Sequence, residues 1–302
     1  MKPPGELFTI GGRRVHMLRR GSGSPVVIFE AGAGQVSSTW LPVLEGVAPF
    51  ATACTWDRPG YGWSQKSSAP LDLDSVTATL AALLDAAELR PPYVLVGWSL
   101  GGFYVRRFAQ LHGDEVAGVV LVDPSHERML EGVSRPMLVV MQTLRALQRS
   151  APGTISRLAR PRMTKEAARL FPNLSPEELA ELVAVATRPG SLRVQFAEVK
   201  RVLAQARALP AVPGALGKIP LLVLAAGKLP GGARFREHRE GVQLPELTGL
   251  SSAGELQVVK DADHSLPLKH PELVVDAVRR VVDQLELGEA TARPSSLAAR
   301  TY

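Results

Sequence analysis

Short runs rich in apolar and β-branched residues recur along the chain, at residues 25–29, 51–56, 92–96, 116–122, 219–225 and 256–259. Stretches with helical apolar spacing lie between them, at residues 73–89, 103–112 and 271–287. A strand with no polar alternation is buried on both faces, and strands separated by helices form a parallel sheet with right-handed crossovers. The expected fold class is therefore α/β: a mostly parallel central sheet with helices on both faces. Residues 7–20, with Gly11-Gly12 at their middle, predict a leading hairpin. Residues 127–208 are helical throughout by pattern and interrupt the alternation without ending it. They are expected to be an all-helical insertion into a core of residues 1–126 and 209–288, with a loose tail at 289–302. Within the insertion, Ser175-Pro176-Glu177-Glu178 has the form of a helix start.

Composition excludes several functions. At 302 residues and 45% hydrophobic content the chain has enough material for a large core. One cysteine, Cys54, rules out an internal disulfide framework. Aromatics at 5% give little for stacking nucleic-acid bases, so no nucleic-acid partner is expected. No apolar run reaches the ~20 residues of a bilayer span, so no stable membrane insertion is expected. The first residues have no apolar signal core, and a cytoplasmic location is the default. Net charge is +6, and its placement is uneven: residues 126–217 hold 14 Arg and Lys against 7 Glu and no Asp. Only 8 of the 35 basic residues are Lys, which fits Arg-rich compositional drift. If Arg145, Arg149, Arg157 and Arg160 faced a pocket mouth, they would steer anionic substrates to it. A plain solvated face is the simpler expectation.

The residues that carry chemistry begin at Gly97-Trp98-Ser99-Leu100-Gly101, between an apolar strand and a helical stretch. A sharp strand-to-helix turn lifts the central side chain off the sheet, and it needs glycines where a side chain would collide. The following helix directs its amide end toward Ser99. Ser99 is the expected nucleophile, and it needs a base. His264, in a late loop after residues 256–259, is the expected base. Near neutral pH its imidazole takes the serine proton and returns it to the leaving group. His16, His112 and His270 read as lone surface histidines, and His126 as a neighbour of the pocket.

With Ala31-Gly32-Ala33-Gly34, residues 57–64 (Asp-Arg-Pro-Gly-Tyr-Gly-Trp-Ser), the Ser99 turn and Asp263-His264-Ser265, the chain resembles the α/β-hydrolase fold superfamily. The resemblance runs from about residue 7 to residue 287 and puts the insertion in the usual lid position. It implies a serine hydrolase with a Ser-His-acid triad, acting on a carboxylic ester or an amide. Lyase, thioesterase or perhydrolase chemistry on the same triad stays open, as does a receptor without turnover. The expected oxyanion donors are the amides of Leu100 and Ala33. Where the family often has His-Gly, this chain has Ala31-Gly32, and a main-chain donor survives that change. For the acid, the loop after residues 219–225 holds no carboxylate before Glu237. Asp123, directly after the run 116–122, is the first choice; Glu237 and Glu240 are the alternatives. Asp261 and Asp263 are too close in sequence to His264 to support it from behind. Asp57-Arg58 reads as a buried network under the site. Trp40, Trp98 and Met129 are candidates to shape the acyl pocket. No zinc-ligand spacing, phosphate loop or dinucleotide fingerprint occurs, so neither cofactor nor metal is expected. A small-molecule ester is the expected partner, and oligomeric state is open.

Overall fold

A computed structural model describes residues 3–129, 131, 150, 152–170, 175–208, 211–228 and 232–292. Eight strands form one sheet: β1 (Glu6–Ile10), β2 (Arg13–Arg20), β3 (Val26–Glu30), β4 (Thr52–Trp56), β5 (Tyr93–Trp98), β6 (Val116–Val122), β7 (Leu221–Ala226) and β8 (Gly254–Val259). Their order is β1-β2-β4-β3-β5-β6-β7-β8. Strand β2 runs antiparallel to both its neighbours, and the remaining pairs are parallel. The leading hairpin turns at Gly11 and Gly12, with φ of 55° and 74°. These values lie in the left-handed region, where a side chain is penalised.

Each central strand divides its residues between two cores, as a period of two requires. On one face Val26, Ile28, Leu95, Val119, Leu121 and Val223 pack with helices α2 (Leu73–Ala86) and α3 (Gly101–Leu111). On the other, Val27, Phe29, Val94, Val96, Val120 and Leu224 pack with α1 (Leu41–Val47) and a long C-terminal helix. Cys54 is completely buried in the first core, and burial pushes its thiol up to about 12, which makes it inert.

Between β6 and β7 the described residues form α4 (Pro152–Leu170), α5 (Pro176–Ala186) and α6 (Pro189–Ala208). Helix α5 starts at Pro176, and the Leu179 amide bonds the Ser175 carbonyl. Three features depart from the sequence reading. Residues 37–47 form a short 3-10 turn leading into α1. The segment after β7, read as a loop, is helical: α7 (Gly232–His238), a π-turn at Arg239–Gln243, and α8 (Leu244–Thr248). After α9 (Leu266–Lys269), the last helix α10 (Pro271–Ala292) runs past residue 289, where the tail was expected to begin. Residues 293–302 lie outside the described ones.

The strand order fixes where a site forms. From β3 the chain passes to β4 on one side and then to β5 on the other. At such a switch point the loops leaving the two strands diverge and open a crevice at their carboxyl ends. Ala31 to Gly34 leave β3 there, and Ser99 leaves β5.

Candidate active site

Ser99 has φ +55°, one of three non-glycine residues in the left-handed region among those described. This is the strained turn that its glycine neighbours imply. A Cβ on Gly97 would lie 2.7 Å from the Val105 side chain, and one on Gly101 would lie 2.3 Å from the Glu30 carbonyl oxygen. Two main-chain bonds tie the turn to the next strand: the Ser99 amide donates to Val122 O (3.1 Å) and the Ser125 amide to Ser99 O (3.0 Å).

Asp123 follows β6 directly, with φ +39° and 3% exposure. Its Oδ2 accepts from His264 Nδ1 at 2.5 Å. The imidazole is half exposed, and its ring centroid stands 5.5 Å from that of Trp98. The Trp98 indole donates to the His264 carbonyl (2.9 Å). The late loop is thus fastened beside the Ser99 turn by the residue that precedes Ser99. Glu237 and Glu240, the alternative acids, are both exposed, and neither pairs with a histidine among the described residues. Their helical segment turns Arg239 inward instead. Arg239 escaped the sequence reading, because one arginine among many gives no signal.

The other histidines have structural partners. His16 is not a surface histidine: it is fully buried against Asp57 (Nδ1 to Oδ2, 2.9 Å), on the inner face of β2, whereas His112 stacks on Phe108. His126 is buried with Nε2 3.0 Å from Glu246, so it does not line an open pocket. His270 faces Glu272 at 3.5 Å.

Of the proposed pocket residues, Trp98 touches the site as described. Trp40 does not line it: the side chain is fully buried, packed on Phe29 (5.0 Å) and edge-on behind Trp98 (6.3 Å). A large ring in that core completes the layer under α1, which is why it read equally well as core. Met129 is half-buried at the start of the insertion. Arg157 is exposed, and Arg160 bonds the Thr187 hydroxyl (3.0 Å); Arg145 and Arg149 lie outside the described residues.

Asp57 and Arg58 form the floor. The Asp57 carboxylate accepts from the Ser37 amide (2.7 Å), the Trp63 amide (3.0 Å) and His16. Burial works against its charge, but these bonds outweigh burial and hold it below the usual carboxylate range. The Arg58 guanidinium donates to Glu30 Oε1 (2.5 Å), Glu198 Oε1 (2.6 Å), Ala31 O (2.8 Å) and Gly32 O (2.8 Å). Burial pushes the Glu30 carboxyl up, with Glu198 adding to the effect and Arg58 and Trp56 opposing it.

These bonds set the loop that leaves β3. Carbonyl and amide of a trans peptide point opposite ways. With Gly32 O held by Arg58, the Ala33 N–H points away from the guanidinium. Among the described residues neither that amide nor the Leu100 amide bonds to an acceptor within the protein. Gln195, on α6, closes over this loop and donates to Ala33 O (3.3 Å).

Glu198, also on α6 and completely buried, accepts from Arg58 and from the hydroxyls of Tyr61 (2.6 Å) and Tyr104 (2.9 Å). Glu198→Ala leaves three buried donors without an acceptor. It is expected to cost about 3–5 kcal/mol of stability, read as a lower urea midpoint.

Among the described residues no cluster of three His, Cys, Asp or Glu is placed to hold a metal ion, and no helix is long and apolar enough to cross a membrane.

Residues 27–277 match the sequence profile of the alpha/beta hydrolase family. An uncharacterized vacuolar membrane protein of Saccharomyces cerevisiae is 36% identical over 110 residues, 35% of this chain and 17% of that protein. An esterase of Mycobacterium tuberculosis, Rv0045c, is 34% identical over 126 residues, 40% of each chain. The chain therefore spans less than half the length of these curated relatives. Among solved structures, the epoxide hydrolase CorEH superposes with a TM-score of 0.68 at 22% identity, over 93% of this chain and 98% of that one. The profile covers the sheet from β3 to β8, the Ser99 turn, Asp123 and the His264 loop in one stretch, and on that ground the chain belongs to the alpha/beta hydrolase family.

Proposed function

We propose that the chain is a serine hydrolase that cleaves a carboxylic ester through an acyl-enzyme. The observation that carries this reading is the bond from half-exposed His264 to buried Asp123, beside a serine held in left-handed backbone at the switch point of the sheet. Ser99 Oγ attacks the ester carbonyl while His264 takes its proton. Asp123, accepting from Nδ1, keeps the imidazole in the tautomer whose Nε2 is free to act as base. The Ala33 and Leu100 amides hold the oxyanion, with no reorganisation when charge develops. His264 then protonates the leaving alcohol and activates the water that clears the acyl group. Helices α4 to α6 act as the lid, with Gln195 and Glu198 joining it to the oxyanion loop.

A fluorophosphonate probe tests the reading without knowledge of the natural substrate. Mass spectrometry is expected to find one adduct, on Ser99, together with lost hydrolysis of short 4-nitrophenyl esters. An adduct elsewhere, or none, rejects the assignment. The esterase named among the relatives supports ester over amide chemistry, and a panel of esters, thioesters and amides compared by kcat/KM reads that choice.

A further inference from the structure

We propose that Arg239 is a positioning residue of this site, acting through Asp123 to fix the orientation of His264. The inference rests on the triad reading above. Asp123 divides its two carboxylate oxygens. Oδ2 meets His264, while Oδ1 accepts from the Ala226 amide (2.9 Å) and from Arg239 Nη2. Arg239 Nη1 donates to the Ala226 carbonyl (3.0 Å), so the guanidinium and a single residue at the end of β7 grip one carboxylate oxygen together. Both charges are removed from water, with the Arg239 side chain 8% exposed and that of Asp123 2%. The Arg239 backbone opens the π-turn between α7 and α8. Such turns break helical spacing and re-aim a side chain, and they concentrate at functional sites. Here the turn points one cation inward while its neighbours Glu237 and Glu240 face solvent.

The consequence is geometric. With Oδ1 held by two donors, the Asp123 carboxylate has one orientation left, and in it Oδ2 faces His264 Nδ1.

The test follows the second-order rate of Ser99 labelling by a fluorophosphonate, with kcat and KM for a short ester on the same samples. Arg239→Met is expected to label roughly 10- to 100-fold more slowly and to lose kcat in the same proportion, with KM within about twofold. Arg239→Lys, which keeps a cationic donor for Oδ1, should restore most of the rate. A folded Arg239→Met that labels as fast as the wild type overturns the role, as does a Lys variant that behaves like Met. If circular dichroism shows that Arg239→Met does not fold, Arg239→Gln, which keeps a donor for Oδ1 without the charge, carries the same comparison. A wild type that is never labelled overturns the hydrolase reading itself, and this role with it.

Discussion

Ser99→Ala is expected to lower kcat for short activated esters by roughly 10⁴-fold or more, because the substitution removes the nucleophile while the oxyanion amides and the pocket remain. The fold should survive it. Ser99 makes its tethering bonds through the main chain, to Val122 and Ser125, and alanine keeps both. The backbone strain gives a second reading of the same position. At φ +55° a non-glycine residue stores about 1–3 kcal/mol. Ser99→Gly releases that strain at a cost of about 0.5–1 kcal/mol in chain entropy. The glycine variant should therefore be as inactive as the alanine variant and unfold at a higher urea concentration. Full activity in either variant would remove Ser99 from the chemistry, and a glycine variant less stable than the alanine one would contradict the strain.

Asp123→Asn is the second large effect, about 10⁴-fold in kcat. An asparagine can present its amide to His264 Nδ1 and so stabilise the tautomer with the proton on the wrong nitrogen. It also leaves Arg239 buried beside a neutral group, at a cost of several kcal/mol. Activity must accordingly be measured well below the unfolding midpoint, with circular dichroism on the same sample. Glu237→Gln and Glu240→Gln, on the exposed side of their segment, are expected to hold kcat within about twofold, as is usual for surface changes. A loss at either of them comparable to that of Asp123→Asn would move the acid to the other strand end.

Much of this was legible in the sequence because the physics is local. The runs at 25–29, 92–96 and 116–122 are apolar on both faces, and only a covered parallel sheet accommodates them. Strand–Gly-x-Ser-x-Gly–helix names its own geometry, and Asp123 was visible because a charged residue ends a strand with no other polar group. What stayed hidden depends on partners distant in sequence. Nothing near Arg239 announces that it reaches the end of β6, and nothing near Glu198 announces Tyr61 or Arg58. The helices at 232–248 stayed hidden because Pro230 and Gly231 precede them and Gly232 opens the first, a run that reads as loop. Trp40 lies on the same side of the sheet as Trp98 but one layer deeper, and ring size carries no information about that depth.

The seat of Glu198 also limits how the family's architecture can be recombined. Transplanting another protein's segment between β6 and β7 onto this scaffold would strand a guanidinium and two phenols in the interior unless the donor helix brought its own acidic group to the same spot. Chimeras whose grafted helix carries an acidic group to that spot are the ones that should express.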